Sequence, residues 1–324
     1  MILSVVVPSY NEGSGIEMTY KKLTEVLETD SIVQNYDYEL IFIDDGSKDD
    51  TLNVIKKFQK DDIRVKYISF TRNFGKEAGI LAGLSYSKGD AVVLMDADLQ
   101  HPPELIPVMI RHFYNGYDQV ITKRNRSGDS KTRTILSRLY YKIVNKMVDV
   151  KLENGVGDFR LLSRRAVNAL LSMQEYNRFS KGMFCWIGFE MKVIEYENQN
   201  RVSGTSKWSF KKLVHYGIDG IISFNNEPLR STLYLGLLMI VLGISYVLYS
   251  LIHVFVVGID MPGYFTTITS ILVMGGVQLI SLGVIGEYIG RIYYEVKRRP
   301  HFIVDETNIQ TPKYQHKWRD DNEK

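Results

Sequence analysis

The segment Asp96-Ala97-Asp98-Leu99-Gln100 follows directly on the apolar run Ala91-Val92-Val93-Leu94-Met95, so two carboxylates and an amide oxygen emerge together at the end of a buried strand. Open α/β sheets bind their ligands at the carboxyl ends of their strands. Oxygen donors in this number suit a hard divalent ion, Mg2+ or Mn2+, which takes few protein carboxylates and leaves its other positions to water and phosphate oxygens. The cluster therefore points to a nucleotide diphosphate site. A single Asp-x-Asp also arises in solvated surface turns, so the weight falls on its surroundings. Val7-Pro8-Ser9-Tyr10-Asn11-Glu12 closes the first apolar run, and Ile43-Asp44-Asp45-Gly46-Ser47 closes the second. Three acidic strand ends on one edge put carboxylates where a uracil N–H or a ribose hydroxyl is held by charge-assisted hydrogen bonds. Asp45 taken alone also reads as a helix-cap turn, because Asp, Gly and Ser are favoured there.

The elements that position these residues form an α/β pattern. Strands are expected near Ile2–Val7, Leu40–Asp44, Val65–Ser69, Ala91–Met95 and Gln119–Thr122, with helices between them at about Ile16–Leu27, Thr51–Lys60, Lys76–Tyr86 and Pro103–Tyr114. Such alternation predicts a parallel, doubly wound sheet. Neither Gly-x-Gly-x-x-Gly after the first strand nor Gly-x-x-x-x-Gly-Lys-Ser/Thr occurs, which disfavours a dinucleotide fold and a P-loop.

The remaining third of the 324-residue chain is different in kind. Leu233–Val257 and Tyr264–Gly286 are runs of 25 and 23 residues without Asp, Glu, Lys or Arg, each long enough to span a bilayer. Only Gly258-Ile-Asp-Met-Pro-Gly263 joins them, which predicts an antiparallel hairpin. Lys211, Lys212 and Arg230 precede the pair and Arg291, Lys297, Arg298 and Arg299 follow it, whereas the connection has only Asp260. This asymmetry puts the domain and both termini in the cytoplasm, at the cell membrane. Phe210, Leu213, Val214, Ile218, Ile221 and Ile222 share a helical face and read as an interfacial helix, or else as an amphipathic core helix. The expected organisation is a catalytic domain over 1–205, an interfacial helix over 206–228, two spans within 229–290, and a basic segment with a polar, disordered tail over 291–324. The single cysteine, Cys185, is assigned to packing, and Glu287 to an ion pair with Arg291 one turn later. A net charge of +3 gives no reason to expect nucleic acid as a partner. Gly286 and Gly290 have the small-x-x-x-small spacing of close helix contacts.

Six motifs in order, Pro8-Ser-Tyr-Asn-Glu12, Asp44-Asp-Gly-Ser47, Asn73-Phe-Gly-Lys76, Asp96-Ala-Asp-Leu-Gln100, Gly157-Asp-Phe-Arg-Leu161 and Arg201-x-x-Gly-x-Ser-Lys-Trp208, span nearly the whole chain. Together they resemble the inverting GT-A glycosyltransferases that act on polyprenyl phosphates, in particular the bactoprenol glucosyltransferase type with two carboxy-terminal spans, related to dolichyl-phosphate mannose synthases. The resemblance implies a Rossmann-like GT-A domain followed by a transmembrane hairpin, and a homo-oligomer. It implies that Pro8, Tyr10, Glu12 and Asp45 hold the nucleoside, that Asp96 contacts the nucleotide-sugar, and that Asp98 and Gln100 ligate a Mg2+ or Mn2+ ion. Asp158 falls where the family places its proposed catalytic carboxylate, and Arg160 follows it.

The acceptor so implied, a polyprenyl phosphate, brings negative charge towards an anionic nucleotide and needs cations. Arg124, Arg126 and Arg133, in a basic stretch with Lys123 and Lys131, are one candidate group; Arg201 and Lys207, just before the interfacial helix, are the other. A solvated basic loop attracted to anionic lipid is the alternative for such residues. UDP-glucose is the first choice of donor and UDP-N-acetylglucosamine the second. Two other functions compete. A processive polysaccharide synthase would carry a Gln-x-x-Arg-Trp motif and more spans, and the corresponding stretch Asn177–Trp186 lacks that motif. A non-catalytic scaffold or sensor would not need every acidic position intact.

Overall fold

A computed structural model describes residues 1–125, 145, 155–197, 227–258 and 263–310. Strand β1 (Ile2–Ser9) leads through α1 (Ile16–Thr29) to β2 (Asp37–Asp44), α2 (Thr51–Asp61), β3 (Val65–Phe70), α3 (Lys76–Tyr86), β4 (Ala91–Leu94), α4 (Ile106–Tyr114) and β5 (Gln119–Asn125). The expected elements all form, with α4 preceded by a 3-10 turn at Pro103–Leu105. Then follow β6 (Val156–Ser163), α5 (Arg164–Ser172), α6 (Ser180–Trp186) and β7 (Met191–Glu197).

The sheet runs in the order β7-β5-β6-β4-β1-β2-β3-β8. It is mixed rather than parallel throughout: β6 is antiparallel to both β4 and β5, and β8 (Val304–Thr307) is antiparallel to β3. Alternating side chains build a core on each face. Leu3, Val5, Val7, Phe42 and Val93 pack under Ile16 and Leu23 of α1, Ile55 of α2 and Met109 of α4. Val6, Ile41, Ile43 and Leu94 pack under Ile80 and Leu84 of α3 and Val167 and Leu170 of α5. Helix α3 lies so close to β1 that a Cβ at Gly83 would fall 2.1 Å from Val6 Cγ1. That approach carries the first residue of α3, Lys76, to the carboxyl edge of the sheet.

Helices α7 (Glu227–Val257) and α8 (Tyr264–Lys297) contain the two apolar runs and touch each other. Leu233, Ile252, Leu279 and Ile280 are each more than 60% exposed, so the pair presents apolar surface that the chain itself does not cover. Both helices are long and apolar enough to cross a membrane. Arg291 and Glu287 form the expected pair at 3.7 Å. The interfacial segment 206–226 lies outside the described residues.

As far as residue 310, the carboxy-terminal region is ordered, where a disordered tail is expected. Beyond α8, Arg298 adopts a left-handed backbone (φ 48°) and the chain turns back onto the domain. Phe302 stacks on Phe70 at 5.0 Å, β8 joins the free edge of β3, Lys56 pairs with Glu306 at 2.5 Å, and Ile309 is buried. The far end of α8 is also tied to the domain. Glu295 accepts hydrogen bonds from the backbone N–H groups of Tyr176 (2.7 Å) and Asn177 (3.3 Å), and Tyr294 stacks on Tyr176. Residues 311–324 lie outside the described residues.

Candidate active site

The strand ends converge as expected, but each acidic group has its own surroundings. The β4–β6 ladder ends at the pair Leu94–Arg160, and beyond it come Asp96, in the turn after β4, and Asp158, near the start of β6. Between the two carboxylates sits Lys76, whose Nζ lies 2.6 Å from Asp96 Oδ1 and 2.6 Å from Asp158 Oδ2. Burial pushes the Asp96 carboxyl up, but the Lys76 ammonium and His101 outweigh it and hold the group far below the ordinary carboxylate range. Asp158 behaves likewise: burial raises it, and Lys76 and Lys181 more than reverse that despite the neighbouring charge of Asp96. Burial alone would lower Lys76; Asp158 and Asp96 raise it strongly instead.

On the next turn, Leu99 takes a left-handed backbone (φ 54°) with its side chain buried, an uncommon state for a bulky residue. The Asp98 Oδ1 accepts the Gln100 N–H at 3.1 Å across this turn. Asp98 and Gln100 are both partly exposed, which presents their oxygens at the sheet edge. Thr19 of α1 donates its hydroxyl to the Ala97 carbonyl at 2.7 Å and so anchors the turn from below.

His101 completes the floor. Its Nδ1 is 2.7 Å from the Tyr196 hydroxyl, its Nε2 is 3.7 Å from Asp96 Oδ2, and its ring lies over Phe159. Gly157 leaves room for the ring, since a Cβ there would stand 3.3 Å from His101 Cε1. Tyr196 pairs in register with Arg124 across β7 and β5, which brings Arg124 towards the acidic cluster. Burial raises the Tyr196 hydroxyl, with Arg124 acting in the opposite direction.

The nucleoside candidates occupy the β1 and β2 ends. Asn11, at φ 53°, accepts the Lys48 N–H on its Oδ1 at 2.8 Å and donates its own N–H to Ser47 Oγ at 2.9 Å, while Glu12 N–H donates to Thr51 Oγ1 at 2.9 Å. These bonds stitch the two loops that carry Tyr10, Glu12 and Asp45 into one wall. Pro8 is half-buried beneath α3, 3.3 Å from where a Cβ at Gly79 would stand. Asp45 is buried and does not cap α2. Its oxygens accept the N–H groups of Phe74 (2.6 Å) and Gly75 (2.9 Å), the residues immediately before Lys76. Gly46, at φ +65°, permits the close crossing, because a Cβ there would meet the Arg72 carbonyl carbon at 2.4 Å.

Arg160 is buried, donates to the Gly157 carbonyl at 2.8 Å and lies 3.7 Å from the Phe184 ring centre, so it supports the Asp158 turn from within the core. Among the acceptor candidates Arg124 is described; Arg126, Arg133, Arg201 and Lys207 lie outside the described residues. Sequence reasoning quoted Lys76 within a motif without giving it work, and missed His101 and Tyr196. The signal for Lys76 was a lysine opening a helix directly after a glycine turn at a strand end; His101 follows the acidic run by one residue. Tyr196 had no local signal, because β7 reaches the site through non-local pairing with β5.

An acidic strand edge on a mixed Rossmann-like sheet, followed by an apolar hairpin, defines a GT-A type transferase domain with a membrane attachment. Comparison with known proteins agrees. Residues 4–171 match Glycosyl transferase family 2, and residues 227–292 match the GtrB C-terminal hairpin. A protein of Bacillus subtilis (strain 168) named "Putative glycosyltransferase CsbB" is 56% identical over 308 residues, 95% of this chain and 92% of that one. The SfII prophage-derived bactoprenol glucosyl transferase of Shigella flexneri is 42% identical over 96% of this chain and all of its own. The bactoprenol glucosyl transferase of Shigella phage SfV is 43% identical over 94% and 98%. The chain belongs to glycosyl transferase family 2, as a glycosyltransferase bearing the GtrB hairpin.

Proposed function

We propose that the enzyme transfers a single hexose from a nucleotide-sugar, UDP-glucose in the first place and UDP-N-acetylglucosamine in the second, to undecaprenyl phosphate or a similar polyprenyl phosphate at the cytoplasmic face of the membrane. The observation that carries this reading is the joining, in one chain, of the acidic edge Asp96, Asp98, Gln100 and Asp158 to a two-helix apolar hairpin. The relatives named bactoprenol glucosyl transferase support the acceptor and favour glucose. The basic flanks of the hairpin support the cytoplasmic orientation. The small-x-x-x-small spacing of Gly286 and Gly290 permits close contact with a second copy in a homo-oligomer.

Tyr10, Glu12 and Asp45 form the wall against which the nucleoside lies, and Asp96 meets the sugar-diphosphate. Asp98 and Gln100 fit a Mg2+ or Mn2+ ion. Among the described residues no group of three or more His, Cys, Asp or Glu gathers to hold a metal, and two partly exposed oxygen donors suit an ion whose other ligands are water and diphosphate. When bound, such an ion offsets the charge that develops on the departing nucleotide.

In the displacement, an oxygen of the lipid phosphate attacks the anomeric carbon from the face opposite the nucleotide. One C–O bond forms as the bond to the β-phosphate breaks, the nucleoside diphosphate leaves with the electron pair, and the configuration inverts. A phosphate monoester has a second pKa of about 6 and is mostly dianionic at neutral pH. The nucleophile thus arrives mostly deprotonated, and Asp158, held ionised, orients the attack or completes proton removal. The test is transfer of label from a panel of nucleotide-sugars into organic-extractable lipid by the purified full chain with undecaprenyl phosphate and Mn2+ or Mg2+. One donor should give product that chelation and Asp98→Ala abolish. A folded protein that binds nucleotide yet transfers from no donor overturns the proposal.

A further inference from the structure

Lys76 has no part in the chemistry described so far, yet it stands at the centre of the site. Its ammonium lies 2.6 Å from Asp96 Oδ1 and 2.6 Å from Asp158 Oδ2, and so ties the turn after β4 to strand β6. Three features fix it there. It is the first residue of α3, which packs tightly on β1 through Gly83. The turn before it, Phe74-Gly75, hangs by two backbone N–H groups from the buried carboxylate of Asp45. The next residue, Glu77, accepts hydrogen bonds from the Ser180 hydroxyl and N–H at the start of α6.

Two carboxylates bonded to one ammonium stand close enough to repel each other, and without a cation between them they move apart. The charged groups around Asp158 are Asp96 from β4, Lys76 and Glu77 from α3, Lys181 from α6, and His101 through Asp96. Of these, Lys76 touches both acids. The Lys76 side chain is 44% exposed, so the bridge it makes is open to solvent on one side.

We infer that Lys76 is a positioning residue of the transfer reaction: its ammonium, bonded to both Asp158 and Asp96, holds the two carboxylates side by side and thereby fixes the direction in which Asp158 faces the incoming phosphate. This rests on the proposed transfer to a lipid phosphate. Lys76 also removes one unit of net negative charge from the ground over which a dianion must pass. Asp158 is then an orienting group for the acceptor, and Lys76 acts through it.

The test is a double-mutant cycle on the full-length protein in detergent, with lipid product as readout. Lys76→Met should lower kcat by more than tenfold with KM for the donor within threefold of wild type. Lys76→Arg, which keeps the charge, should recover most of the loss. In an Asp158→Asn background, Lys76→Met should cost less than threefold. Equal loss from Lys76→Met in both backgrounds, or no loss in kcat, overturns the inference. If Lys76→Met does not fold, the same cycle is run with Lys76→Gln. A second readout needs no turnover: the Asp158 carboxyl 13C resonance, identified by its absence in Asp158→Asn, should move in Lys76→Met and return in Lys76→Arg at constant pH. An unmoved resonance refutes the role of Lys76 even if no acceptor is found, whereas a moved resonance in a protein without lipid product refutes only the proposed function.

Discussion

Replacing Asp45 by alanine takes away the acceptor of two backbone N–H groups, those of Phe74 and Gly75, in a turn that leads straight into Lys76. Hydrogen bonds to a charged group contribute about 1.5–3 kcal/mol each, so the pair is worth roughly 3–6 kcal/mol. Against this stands the burial of the carboxylate, which pushes its pKa up in spite of the two N–H groups. Relief of that burial returns several kcal/mol, the same order as the two bonds. What is left is the cost of two part-buried N–H groups without an acceptor, so the net cost of Asp45→Ala is about 1–2 kcal/mol, or roughly 2–8 °C in melting temperature for a domain of this size. Asp45→Asn keeps one oxygen and should cost about half as much, because its amide N–H2 meets the other N–H. The assay is thermal unfolding of the detergent-solubilised chain, joined with hydrogen exchange at the Phe74 and Gly75 amides, which should quicken in Asp45→Ala. A melting temperature within 1 °C of wild type with unchanged exchange would refute the view that Asp45 braces the Lys76 turn, and would leave it a binding residue alone.

Further outcomes follow from other contacts. Phe302→Ala removes a buried ring stacked on Phe70 and should cost about 3 kcal/mol, with easier proteolysis around 301–310; resistance equal to wild type would mean that β8 holds without its anchor. Glu295→Ala should speed exchange of the Tyr176 and Asn177 amides far more than Glu295→Gln does, since the amide side chain still offers an oxygen. Asp118 has a pH signature. Burial raises its carboxyl, but the bond from Arg165, with that from Ser163, outweighs burial and sets the folded pKa below the unfolded value near 4. Its stabilisation is therefore present above pH 4 and lost as the pH falls through the folded value. The gap in melting temperature between wild type and Asp118→Asn should be open at pH 7 and close towards pH 3, and a gap that widens on acidification would contradict this.

Local pattern carried much of the fold. Strands β1, β2 and β4 are apolar runs closed by Pro8, Asp44 and Asp96, and α3 begins where expected at Lys76. The two apolar runs at 233–257 and 264–286 fall inside α7 and α8. What escaped was set by distant partners. Strand β8 reads Val-Asp-Glu-Thr, polar enough for a tail, and becomes a strand only because Phe302 and Ile309 on either side are buried. The antiparallel course of β6 depends on its ladders with β4 and β5, which no local signal reports. The site divides in the same way. Asp96, Asp98 and Gln100 announce themselves as an acidic run at a strand end, while the Lys76 bridge and the His101–Tyr196 contact exist only once α3 and β7 have docked.

The mass and anomeric configuration of the lipid formed from UDP-glucose and undecaprenyl phosphate by the purified protein report whether the enzyme makes a single inverting transfer onto a lipid phosphate. The expected product is the phosphate carrying a single hexose in β linkage from the α-linked donor. An α-linked product, a ladder of added hexoses, or no lipid product from a nucleotide-binding protein would contradict it.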